Sequence, residues 1–212
     1  MIALSHREPF ARGRKRLVFE HPDDPGLVIK VFRPKFAAPA PGWAPWQGLR
    51  RYYVCVHMVL REMREHIEAR RDGGVLPSFV PRIVGLADTD LGLGVVVEAA
   101  RGGDGGFAPT LKSMLQAGQV DAQAVADLRR FCAEIEACEL VIGDMHAGNV
   151  VYACDADGGA RFMLVDGLGD KTLVPLLKMS RLLARRARRR KTRRLLAAVE
   201  RQGAGGRDAP QA

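Results

Sequence analysis

Val141-Ile142-Gly143-Asp144-Met145-His146-Ala147-Gly148-Asn149-Val150-Val151, followed by Phe162-Met163-Leu164-Val165-Asp166-Gly167, is the stretch that decides how this chain is read. It sets out a carboxylate, a carboxamide five residues later, and a second carboxylate at the end of an apolar run. Val150-Val151 and Phe162 to Val165 read as two short strands joined by the turn-rich Asp155-Ala156-Asp157-Gly158-Gly159, a hairpin that would bring Asn149 and Asp166 side by side. In phosphoryl transfer the protein has little covalent work to do. It needs one carboxylate near the acceptor hydroxyl and oxygen ligands for a hard divalent cation. Asp144 suits the first role, and Asn149 and Asp166 suit the second. Taken singly, each could be an ordinary turn residue. Their occurrence together, in order and between apolar strands, outweighs that reading.

The Gly-Asp-x-His-x-x-Asn pattern over Gly143 to Asn149 resembles the catalytic loop of the protein-kinase-like superfamily, above all its aminoglycoside-kinase-like branch. That resemblance implies that Asp144 is the catalytic aspartate, Asn149 a metal ligand, and Asp166 the counterpart of the metal-binding aspartate of Asp-Phe-Gly. Two departures stand out. Gly143 occupies the place of the arginine of eukaryotic kinases, and Gly167-Leu168-Gly169 follows Asp166 without a phenylalanine.

A chain of this kind needs a lysine on a strand and a glutamate on a helix in its first half. Leu27-Val28-Ile29-Lys30-Val31-Phe32 is an apolar strand with one cation, bounded by Pro25-Gly26 and Pro34. It resembles the Val-Ala-Ile-Lys strand of kinases, whose lysine holds the α and β phosphates. Arg50 to Arg71 reads as a helix, with Val56, Val59, Leu60, Met63 and Ile67 at helical spacing. Glu62, beside that stripe, is the expected partner of Lys30; Glu65, further from it, is the rival. Upstream of the Leu17-Val18-Phe19 strand, residues 10–16 would form the loop over the phosphates. Gly13 is its only glycine, leaving backbone amides and Arg12, Arg14 or Arg16 to cradle the nucleotide, unless those arginines are only solvated hairpin charge. Pro81 to Gly85 and Leu93 to Val97 flank the turn at Asp88-Thr89-Asp90 and belong to a lobe expected to hold five strands and one helix.

Over nearly its whole length the chain resembles the YrbL family, described as PhoP regulatory network proteins. The matching pieces are Gly13-Arg14-Lys15-Arg16, His21-Pro22-Asp23-Asp24, Val28-Ile29-Lys30-Val31, Arg61-Glu62-Met63, Val80-Pro81-Arg82 and, the most specific, Asp166-Gly167-Leu168-Gly169-Asp170-Lys171-Thr172-Leu173-Val174-Pro175. The resemblance implies a kinase-like fold with the substrate left open. Some members lack an aspartate where this chain has Asp144.

With 212 residues there is room for two small lobes and about one helix after Asp166, too little for peptide-docking helices, which favours a small-molecule or sugar-type acceptor over a protein. Cys55, Cys132, Cys138 and Cys154 form no Cys-x-x-Cys pair, and no histidine has metal-ligand spacing, so reduced thiols and no zinc are expected. No signal peptide is expected, no apolar run of about 20 residues occurs, and a cytoplasmic protein is expected, with a peripheral position at the inner face of the membrane as a variant. The formal charge is +9, and residues 178–201 hold eleven Lys or Arg against Glu200 alone. Weakly periodic leucines there suggest a helix that docks by its first turns and projects its basic middle toward lipid headgroups, nucleic acid or an acidic protein, or only toward solvent.

Residues 34–46, rich in proline, read as a linker in which Trp43 and Trp46 pack on the lobe. Thr110 and Asp121 are expected to cap two helices, Thr110 to Gln116 and Asp121 to Cys138. The expectation is therefore an α+β, protein-kinase-like two-lobed fold: a five-stranded antiparallel N-lobe with one helix at 1–98, a truncated, mainly helical C-lobe at 99–202, and a disordered tail at 203–212. The expected cofactors are ATP and Mg2+, and the expected partners are nucleotide, an unknown acceptor or regulatory protein, and an anionic surface. The alternative is a pseudokinase that serves as a regulatory binding module.

Overall fold

A computed structural model of the chain describes residues 1–37, 45–155, 158–170 and 180–205. The fold is α+β and separates into two compact units, Met1–Glu68 with Pro81–Ala99, and Ala69–Val80 with Ala100–Ala212.

The first unit is built on a five-stranded antiparallel sheet. Its strands are β1 (Ala11–Arg12), β2 (Arg16–Glu20), β3 (Leu27–Phe32), β4 (Ile83–Thr89) and β5 (Gly92–Glu98), in the order β1-β2-β3-β5-β4. Between β3 and β4 the chain makes a short helix α1 (Pro34–Ala37) and the long helix α2 (Pro45–Ala69). Register explains which residues meet. Leu17 pairs with Val31 and Phe19 with Ile29, and these residues turn their side chains to one face, where Leu4 and Val96 complete a small core. Arg16 and Val18 alternate to the other face together with Lys30, which lies opposite Val18 on one side and Val95 on the other. Gly94 has to be glycine for a packing reason: a Cβ there would stand 2.5 Å from Ile29 Cγ2 and 3.1 Å from Val31 Cγ1. The N-terminal segment is tied on by Asp90, whose Oδ1 accepts the Leu4 amide at 2.7 Å.

The second unit holds α3 (Leu111–Gln116), α4 (Ala122–Ala137), the hairpin β6 (Val150–Cys154) with β7 (Ala160–Leu164), and α5 (Arg181–Gly205). Both expected caps form: Thr110 Oγ1 accepts the Ser113 amide at 3.0 Å, and Asp121 Oδ1 accepts the Ala124 amide at 2.7 Å. The core runs through Leu111, Leu128, Phe131, Ile135, Ile142 and Leu164. Phe131 meets Phe79 edge-on at 5.7 Å between centroids.

Some expectations change. The segment 69–80 clusters with the second unit, because Phe79 and Val80 pack into that core and the Phe79 carbonyl accepts the Leu164 amide at 2.7 Å. Helix α2 starts at Pro45, inside the stretch read as a linker; a proline is tolerated in the first turn, where its missing N–H bonds nothing. The rest of that linker, residues 38–44 with Trp43, lies outside the described residues, as do residues 171–179 and 206–212. The last helix continues to Gly205, three residues into the stretch read as a tail.

The basic helix docks differently from the expectation. Leu182 and Leu183, in its first turn, are exposed, whereas Ala184, Arg188, Thr192, Leu195 and Val199 are buried. Those five recur at spacings of four, four, three and four, one face of an α-helix. An arginine is admitted to that buried face because the guanidinium donates to the Leu140 carbonyl from Nη1 at 3.3 Å.

Candidate functional site

The first group of site residues forms around β3 and α2. Lys30 is 8% exposed and its Nζ stands 3.7 Å from Glu62 Oε1. The expected pairing is therefore present within this unit. Glu62 has a nearer partner that sequence reasoning missed: Arg16 Nη1 donates to Glu62 Oε2 at 2.8 Å, with Arg16 only 5% exposed. Arg16 is a residue of β2 and not of a loop over phosphates. The signal was available in the alternation of β2, since Arg16 and Val18 share the face that Lys30 occupies on β3. Glu65, read as further from the apolar stripe, is more buried than Glu62, at 1% against 7% exposed. Gly13 sits in the turn between β1 and β2, its amide donating to the Arg16 carbonyl at 2.9 Å. Arg12 lies in β1 and Arg14 is exposed.

The second group forms where the loop before β6 meets the residues after β7. Asp144, Asn149 and Asp166 are all half-buried. The Gly167 carbonyl accepts both the Gly143 amide at 2.8 Å and the Asp144 amide at 3.0 Å, and the Gly169 amide donates to Val141 at 2.7 Å. The Val165 amide donates to the Asn149 carbonyl at 3.0 Å. Thus the backbone of residues 141–149 is laced to that of 165–169, which brings the three predicted residues into one neighbourhood. Gly167 makes that lacing feasible. Its φ is +102°, and a Cβ would fall 2.0 Å from the Asp144 carbonyl oxygen.

Within the loop, Asn149 Nδ2 donates to the Asp144 carbonyl at 3.0 Å, which turns the amide so that its oxygen is the end left to bind a cation. Asp166 Oδ1 accepts the Gly167 amide at 2.6 Å. His146 is exposed, and its Nδ1 accepts the Gly148 amide at 3.1 Å, a contact that shapes the loop. Two basic residues of α5 hold the segment leading into this loop: Arg188 at Leu140, and Lys191, whose Nζ donates to the Ile142 carbonyl. Neither was legible as a support for the loop, because the arginine run masks which of its members point inward.

Next to this region Tyr152 Oη donates to Asp127 Oδ2 at 2.6 Å, and Gln123 and Arg130 also donate to that carboxylate. Burial works to raise the Asp127 pKa, but these three donors overcome it and hold the carboxyl below its usual range. Burial, followed by the Asp127 contact, pushes the Tyr152 phenol up.

No group of three or more His, Cys, Asp or Glu side chains able to hold a metal occurs among the described residues. An all-protein cage is therefore not offered there. One carboxylate and one amide oxygen do suit Mg2+, which keeps waters and takes phosphate oxygens beside one or two protein ligands.

An antiparallel five-stranded sheet with a central-strand lysine paired to a glutamate on α2, and a Gly-Asp-x-His-x-x-Asn loop laced to the segment of a second aspartate, define a protein-kinase-like chain. A family model described as "PhoP regulatory network protein YrbL" matches residues 2–200, and the chain belongs to that family. It is similar to "Uncharacterized protein YrbL" of Escherichia coli (strain K12), 24% identical over 204 residues that cover 93% of this chain and 87% of that protein. The Shigella flexneri protein of the same description matches with the same figures. A solved co-crystal structure of WbdD with a kinase inhibitor is similar at a TM-score of 0.43 and 18% identity, over 95% of this chain and 45% of that one.

Proposed function

We propose that this chain binds Mg-ATP and transfers the γ-phosphate to a hydroxyl of a small-molecule or sugar-type acceptor. Lys30 holds the phosphates and Glu62 orients Lys30, with Gly13 in the turn over the nucleotide. Asn149 and Asp166 hold magnesium, which on binding would neutralise charge on the phosphates. Asp144 orients the acceptor hydroxyl and takes its proton. The observation that carries this reading is the lacing of Asp144 and Asn149 to the segment of Asp166, supported by the buried Lys30–Glu62 pair.

A second reading is a pseudokinase that acts as a regulatory binding module, and the family's description as part of a PhoP regulatory network favours it. In either reading the basic helix supplies a contact for an anionic surface, and the setting is cytoplasmic. No helix among the described residues is long and apolar enough to cross a membrane.

The test is thermal unfolding with and without ATP and Mg2+, since a ligand that binds only the folded state raises apparent stability. The transferase reading expects a magnesium-dependent rise that Lys30→Met abolishes. No rise at millimolar nucleotide would refute that reading and favour the pseudokinase, which holds with nucleotide bound or not. ATP turnover then separates them: the transferase reading expects hydrolysis or transfer that Asp144→Ala removes, and the pseudokinase reading expects none in either protein.

A further inference from the structure

The face of α5 that points away from the core carries arginine and leucine together. At about 100° per residue, Ala184, Arg188, Thr192, Leu195 and Val199 fall within one narrow arc, the buried one. Arg186, Arg189, Arg190, Arg193 and Arg194 fall on the opposite arc, all exposed, around a shallow groove of about 510 Å³ floored by Ala197. Leu182 and Leu183 fall on that same outward arc and are 74% and 49% exposed. Arg189 is tied to Glu136 at 3.4 Å, whereas the other four groove arginines make no ion pair among the described residues.

We propose that this face docks onto an anionic phospholipid bilayer, the arginines among the headgroup phosphates and Leu182 and Leu183 in the boundary with the acyl chains. The helix is anchored to its unit along the buried arc by Arg188, Lys191 and Thr192, so the outward side chains are presented on a rigid rod instead of a flexible tail. Arg186 to Arg194 span about 12 Å along the axis, enough to meet several headgroups at once. A basic surface alone would serve duplex nucleic acid equally well. The two leucines decide between them: against a duplex they would face phosphates and water, whereas at a bilayer they gain burial beside bound headgroups. No aromatic side chain lies on the described part of this face to stack on single-stranded bases. The inference deepens the anionic-surface part of the functional reading and is independent of nucleotide binding.

The experiment is co-sedimentation of the full chain with phosphatidylcholine vesicles, plain or containing about one-third phosphatidylglycerol. Binding is expected to the mixed vesicles only. Arg190→Glu/Arg193→Glu/Arg194→Glu should weaken it by about 100-fold or more, each arginine contributing about fivefold. Leu182→Ser/Leu183→Ser should weaken it by about tenfold and leave retention on a duplex DNA oligonucleotide unchanged. Circular-dichroism melting checks that both variants fold, and Asp144→Ala should bind vesicles like the wild type whether or not phosphoryl transfer is established. Failure to bind the mixed vesicles overturns the proposal. So does binding indifferent to the two leucines, or a tighter hold on the duplex than on the vesicles.

Discussion

Replacing Gly167 by alanine tests the lacing on which the candidate site depends. Two effects add at this position. Its φ of +102° is a conformation L-residues avoid, which costs on the order of 1–3 kcal/mol. In addition, the new Cβ would lie 2.0 Å from the Asp144 carbonyl oxygen, so one strand of the lacing has to move. Movement puts at risk the two hydrogen bonds that the Gly167 carbonyl accepts from Gly143 and Asp144, each with a net value of about 1 kcal/mol. Together the loss should be about 3–5 kcal/mol. For a chain of this size that corresponds to a fall in Tm of about 6–20 °C. Gly118→Ala is the control, because Gly118 also has a positive φ, +65°, but nothing stands within 4 Å of its Cβ position. It should lose only about 1–2 kcal/mol. Urea unfolding followed by circular dichroism reads both variants. If Gly167→Ala is no less stable than Gly118→Ala, the close approach to Asp144 is wrong and the reasoning about the site falls with it.

Other outcomes follow from the same geometry. Glu62→Gln should destabilise by about 3–5 kcal/mol because it leaves Arg16 and Lys30 buried beside a neutral group, whereas Lys30→Met, which leaves Glu62 its nearer partner Arg16, should cost about half as much or less. Equal losses in urea titrations would contradict Arg16 as the principal partner. The Asp127 carboxyl is held below its unfolded value, so its stabilisation is present above that unfolded value and is lost as pH falls through the lower, folded one. Tyr152→Phe should therefore cost about 1.5–3 kcal/mol at pH 7 and progressively less as Asp127 becomes protonated, checked by chemical denaturation across the acid range. Burial, then the Glu136 charge, pushes the Cys132 thiol up to about 12, and burial also raises Cys55. A thiol-reactive dye on native protein should label Cys138 and Cys154 first, and peptide mapping that found Cys132 labelled early would count against the described core.

Much of the fold was legible because local signals and tertiary packing agree. Leu27 to Phe32 is apolar except for Lys30, and it became a central strand with that lysine buried. Thr110 and Asp121 stood where caps belong and accept the amides expected of them. The turn residues between Val150 and Val165 foretold the hairpin that carries Asn149 toward Asp166. Arg16 was harder to read. A charge next to three other basic residues looks like solvent-facing composition, and only strand register shows that it shares a face with Lys30. Glu65 misled as well: set further from the apolar stripe, it is nevertheless more buried than Glu62, which its distance from that stripe does not indicate.

The C-terminal helix marks the line between the two kinds of information most clearly. The residue order alone determined that residues 178–201 form a strongly basic stretch and that Asp144, Asn149 and Asp166 stand in the order carboxylate, carboxamide, carboxylate in the second half, because residue type and spacing are properties of the chain itself. Only the tertiary structure decided that Arg188 and Lys191 face inward to bond the Leu140 and Ile142 carbonyls while Arg190 and Arg194 face out, and that Gly167 abuts Asp144. The physical reason is that a backbone carbonyl left without a strand partner can recruit whichever cation a neighbouring helix turns toward it. That pairing depends on helix phase and strand position in space, which one-dimensional charge patterns do not encode.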